Sequence, residues 1–60
     1  MDKILQMKQK RAALIQKMRK MVADAESAQR SLNTEEKSSY EQLRDQASDL
    51  ADDIVREEEL

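Results

Sequence analysis

Sixty residues hold one domain, and a chain this short buries only about 60% of its unfolded surface when it folds alone, so folds of this size lean on some staple. Cysteine and histidine are absent, which removes disulfides and thiolate or imidazole metal sites. Glycine, proline and every aromatic but Tyr40 are also missing, so a sheet and a phosphate-cradling loop lack material, and the 11 basic and 13 acidic residues sum to −2.

What remains is rich in Ala, Leu, Met, Gln, Glu, Lys and Arg, the good helix formers. A first helix is expected from about residue 2 to 30. Ile4, Met7, Arg11, Leu14, Met18, Met21, Ala25 and Ala28 follow one another in alternating steps of three and four, which keeps a single seam turned toward a partner helix. Leu5, Ala12, Ile15 and Val22 run beside it and widen the seam into a broad apolar face, the width that a bundle of three or more helices uses.

Arg11 is the charged member of the seam. It can act as a selector of register or partner, since one polar seam residue fixes oligomeric state. The plainer reading packs its stem and lets its head reach Asp49, Asp52 or Asp53. Met7, Met18 and Met21 read first as ordinary core, although a methionine seam also repacks easily against non-equivalent partners.

Short polar residues gather at Ser31-Leu32-Asn33-Thr34, a turn over 31–34. Thr34 or Asn33 can cap the following helix, and Asn33 with Glu36 has near capping-box spacing. Lys37 stands at the third helical position after Thr34, where an acid or Gln serves better, so the capping interaction is expected to be weakened. The second helix is expected over 35–59, with Tyr40, Leu43, Ala47, Leu50 and Ile54 on its seam and Ala51 and Val55 beside them. A connection this short makes the two helices antiparallel neighbours. The fold class is therefore all-α: two long amphipathic helices in an antiparallel hairpin or coiled coil, associating into a larger bundle.

Charge divides between them. Residues 1–31 carry eight basic against three acidic side chains, +5, and residues 32–60 carry three basic against ten acidic, −7. Lys3, Lys10 and Lys17 recur every seven residues, where charges flank a helical seam, and with Arg11 they face Asp49 and Asp53 as the groups expected to set orientation or partner choice. The run Glu57-Glu58-Glu59 places negative charge at the C-terminal end of a helix, against its dipole, with no Gly or Asn stop after it. That ending suggests a piece of a longer protein.

The order of these features resembles a known family. Lys10-Arg11-Ala12-Ala13-Leu14, Met18-Arg19, Ala25-Glu26, Arg30-Ser31-Leu32, Thr34-Glu35-Glu36 and Tyr40 to Leu43, continued by Leu50, Ile54 and Arg56-Glu57, are similar to the start of tailed-bacteriophage major capsid protein precursors. In that family the segment is a helical scaffolding (delta) domain lying inside the immature shell. It guides capsid subunits into capsomers of the right curvature, and a phage protease commonly removes it before DNA is packaged. The resemblance implies association with copies of itself and with neighbouring capsid subunits, in the cytoplasm of an infected bacterium, inside the prohead.

Other functions find less support in the residues. Seven basic residues against Asp2 within 1–23 are enough for salt-dependent phosphate binding, but no aromatic interleaves to stack on bases and the rest of the chain is acidic, so nucleic acid is not an expected partner. Asp49, Asp53 and Glu57 share a helical face, with Asp52 nearby, but they lack the glycine turn and backbone carbonyls of a calcium loop and read as a solvated acidic face. No cofactor, small-molecule ligand or membrane span is expected, and without His, Cys or a Gly-rich loop neither is catalysis. The remaining alternatives are a coiled-coil oligomerisation or adaptor module of an unrelated protein and, after it, a basic helix that binds nucleic acid.

Overall fold

A computed structural model describes residues 2–60. Two α-helices account for most of these residues: α1, Lys3–Ser27, and α2, Thr34–Glu59. α1 starts because Asp2, extended at φ −72° and ψ 114°, turns its carboxylate onto the Ile4 backbone N–H at 3.0 Å. That bond satisfies one of the donors a first helical turn leaves open.

α1 stops at Ser27, three residues before the expected end near residue 30, and Ala28 leaves the seam for solvent. The reason is local. Gln29 adopts a left-handed conformation, φ 52°; its N–H donates to the Glu26 carbonyl at 3.0 Å, and the Arg30 N–H donates to the Ala25 carbonyl at 3.0 Å. This is a Schellman closure, usually built on glycine, made here with glutamine.

α2 begins with a capping box. Asn33 Oδ1 accepts the Glu36 N–H at 2.8 Å, and Glu36 Oε1 accepts the Asn33 N–H at 3.0 Å. Asn33, not Thr34, is the cap, so the third helical position belongs to Glu36 and the expected weakening by Lys37 does not arise. Glu35 and Glu36 in this first turn also complement the helix dipole.

The helices, of 25 and 26 residues, lie antiparallel side by side in a rod of 45 × 17 × 14 Å. The core is thin. Three of the described residues are buried: Ala25 toward the turn, Ala47 at mid-length and Ile54 toward the open end, at 4%, 7% and 7% exposure. Ile4, Met7, Leu14, Met18 and Met21 on α1, with Tyr40, Leu43 and Leu50 on α2, are half-buried along the same seam. Two helices can cover one narrow stripe of each other, and everything beside that stripe stays in solvent.

Candidate interaction surface

The two ends of the hairpin are closed by ion pairs. At the turn, Arg30 donates from Nη1 to Glu36 Oε1 at 2.6 Å and from Nη2 to Oε2 at 3.1 Å, and Nη1 also reaches the Ser31 carbonyl at 3.2 Å. Hydrogen bonds from Arg30, joined by the Asn33 N–H, hold the Glu36 carboxyl down at about 2, below its ordinary 4.5. Glu36 thus ties α1's exit to α2's entry while completing the cap.

At the open end Lys3 Nζ donates to Glu57 at 2.8 Å, and Lys8 lies 3.6 Å from Glu58. The bond and the charge of Glu57 raise the Lys3 ammonium above its ordinary 10.5. These contacts answer the acidic run at the end of α2. The lysines of α1's first two turns supply the cations that α2's own last turn, with Arg56 alone, provides sparsely.

Between the ends, the two broad faces of the rod differ. One groove runs past Lys10, Leu14, Gln46, Asp49, Leu50 and Asp53, and continues through Asp53 to Met7, Arg56 and Glu57. It mixes lysines of α1 with acids of α2 over the half-buried seam. On the other face a groove runs from Val22 and Tyr40 through Ile15 and Met18 to Arg11, Ala51 and Val55, its successive stretches sharing Ile15, Met18, Arg11 and Ala51.

The structure sorts the sequence-derived site residues accordingly. Ala47 and Ile54 are buried and Ile4, Met7, Leu14, Ile15, Met18, Met21, Tyr40, Leu43 and Leu50 are half-buried between the helices. Leu5 and Val22 are 52% and 37% exposed in the hairpin, since they belong to the second apolar line, beyond the reach of a single partner helix. Lys3 makes its pair with Glu57, whereas Lys17 is exposed and makes no ion pair with a described residue. Lys10 shares a groove with Asp49 and Asp53 without closing to ion-pair distance, and Asp53 instead accepts a bond from Arg56, one turn along α2.

Arg11 departs from its expected partners. It is exposed beside Arg44, Ala47, Ser48 and Ala51, on the face opposite the groove of Asp49 and Asp53, and pairs with none of Asp49, Asp52 and Asp53. Its seam position tilts it to the Ile15 side, and the acids it was expected to reach lie around the far side of α2. Arg30 and Glu36 were not among the sequence-derived site residues. Their signal was available: an arginine and a glutamate bracketing a turn of short polar residues, six positions apart.

Among the described residues, no cluster of three or more His, Cys, Asp or Glu is placed to hold a metal ion, and no helix is long and apolar enough to cross a membrane. Comparison with protein-family models, with curated proteins and with solved structures finds no match to this chain. The two grooves differ in charge: one sets lysines of α1 beside acids of α2, and the other carries Lys8, Arg11, Arg19 and Arg44 with Glu26 among apolar side chains.

Proposed function

We propose that this chain is a helical assembly module, the scaffolding segment of a tailed-bacteriophage major capsid protein precursor. It acts by reversible helix–helix association with its own copies and with neighbouring capsid subunits inside the immature shell, and is later removed by proteolysis. The observation that carries the assembly part is the thinness of the core. The hairpin exposes 4859 Å², where a compact monomer of this mass exposes roughly 4000 Å². Among the described residues, no side chain larger than isoleucine is buried. Neither disulfide nor metal makes up the difference, so association with other chains is the staple left to it.

The capsid part rests on the resemblance of the basic first helix, the Arg30-Ser31-Leu32 and Thr34-Glu35-Glu36 stretch and the acidic second helix to the delta segment of those precursors. Two features of the hairpin suit that task. A half-buried methionine seam adapts to the unequal environments of a closed shell. A shallow core makes the contacts weak enough for misplaced subunits to dissociate.

Two experiments test the proposal in order. Sedimentation equilibrium from micromolar to millimolar chain, with helicity read by circular dichroism on the same samples, is expected to show mass and helicity rising together. A well-folded monomer throughout would remove the assembly reading. Deleting the segment from a capsid precursor that carries it is then expected to give aberrant shells. Normal shells from the deletion would leave an oligomerisation module of some other protein.

A further inference from the structure

The hairpin's two faces do not have the same work left to do. On the face lined by Leu14, Asp49 and Asp53, lysines of α1 and acids of α2 already stand over the seam. On the other, Leu5, Val22 and Val55 stand 52%, 37% and 53% exposed, and Ile15 and Ala51 form the floor between them. Leu5 continues the line of Ile15 and Val22 by helical spacing, so these side chains form one stripe along α1 with Val55 and Ala51 beside it on α2.

We infer that this apolar face docks a second copy of the chain, closing two hairpins into a four-helix bundle. The inference rests on the assembly reading above and names the surface and the partner. Area favours a second copy. A face of 45 by 17 Å spans on the order of 750 Å², close to the roughly 800 Å² per partner of a stable protein interface. It also approaches the excess surface of the lone hairpin over a compact monomer. A partner of the same length covers the stripe from end to end, which a shorter helix does not.

Charge bears on orientation alone. α1 as a whole is basic and α2 acidic, while the charges that line this face are mostly cations, Lys8, Arg11, Arg19 and Arg44 against Glu26. A two-fold axis along the rod lays α1 over the copy's α2 and so brings helices of opposite net charge together. The alternative two-fold stacks α1 on α1 and sets basic helix against basic helix.

The test is sedimentation equilibrium of the full chain in three forms: wild type, the double variant Val22→Glu with Val55→Glu, and Ala13→Glu in the opposite groove. Glutamate is a good helix former and both valines are exposed in the hairpin, so the double variant keeps its helices. The wild type and Ala13→Glu are expected to reach a mass of two chains with similar dissociation constants, and the double variant to dissociate at least 100-fold more readily. If the double variant loses helicity, Leu5→Glu at a more than half-exposed site takes its place, with at least a tenfold loss expected. A wild type that stays monomeric overturns the assembly reading and this inference with it. A wild type that associates while all three forms behave alike, or while Ala13→Glu is the weaker, overturns the choice of face alone, and a limiting mass other than two chains overturns the four-helix bundle.

Discussion

Arg30 grips both carboxylate oxygens of Glu36 across the turn, at 2.6 and 3.1 Å, and the same carboxylate caps the Asn33 N–H at 3.0 Å. One side chain therefore joins the exit of α1 to the entry of α2. Without glycine or proline in the chain, the reversal depends on side-chain hydrogen bonds where backbone-permissive residues more often serve.

The other half of that capping box is Asn33, and its removal gives a direct measure of what the turn contributes. Asn33→Ala leaves the Glu36 N–H without its 2.8 Å acceptor. Loss of an N-cap typically costs about 1 kcal/mol, which in a domain of this size lowers Tm by roughly 4–8 °C. Thermal melts of both forms at one chain concentration check it, since association makes Tm concentration-dependent. An unchanged melt would mean that the Arg30–Glu36 pair holds the turn without the cap.

Acid is expected to open the turn in a defined window. Folding lowers the Glu36 carboxyl from 4.5 to about 2, chiefly through the hydrogen bonds from Arg30, so the unfolded chain takes up the proton first. The stabilisation is complete above pH 4.5, is lost progressively as pH falls and is gone below about 2. Lys3 behaves in the opposite sense: its ammonium is raised above 10.5 by Glu57, so that contribution is whole below pH 10.5 and lost as pH climbs past it. Glu36→Gln, melted from pH 2 to 7, should lie below wild type at neutral pH and converge on it in acid. Parallel curves would remove Glu36 as the group responsible.

Gln29 offers the reverse test, a substitution that stabilises. Its φ of 52° is left-handed, which glycine adopts freely and glutamine does not. Gln29→Gly is expected to raise stability by about 0.5–1 kcal/mol, the relief of strain being partly offset by the greater freedom of glycine in the unfolded chain. Chemical or thermal denaturation at fixed concentration reads it out, and a lower midpoint would show that the Gln29 side chain contributes something the closure itself does not explain.

The helices and their pairing were legible in the sequence because periodicity carries them. Ile4, Met7, Leu14, Met18 and Met21 recur at the spacing that one partner helix can cover, and the turn residues Ser31 to Thr34 stand where that spacing breaks. The end of α1 was not legible, since no Gly or Asn marks it and a left-handed glutamine has no compositional signal. Nor was the fate of Leu5 and Val22: an apolar position reads the same whether its partner is the neighbouring helix or another molecule, and only packing distinguishes them. Glu57 and Glu58 looked misplaced until the register brought Lys3 and Lys8 to them, a relation set by the turn's position and not by either residue's neighbours in sequence.

The seam itself is tested by Leu14 and Leu50, which line one groove from opposite helices and are half-buried there. Replacing both by aspartate removes two apolar side chains and sets two like charges near each other where water is partly excluded. The cost is on the order of 4 kcal/mol, against a total of roughly 3–9 kcal/mol for a chain of sixty residues. Leu14→Asp with Leu50→Asp is therefore expected to abolish most of the helicity and all of the self-association at concentrations where the wild type is folded. Circular dichroism and sedimentation on the same samples decide it. Helicity and mass that both survive would place the contact between α1 and α2 on some other line of residues. Lost mass with helicity kept would instead mean that the groove of Leu14 and Leu50, and not the stripe of Leu5, Val22 and Val55, meets the second chain.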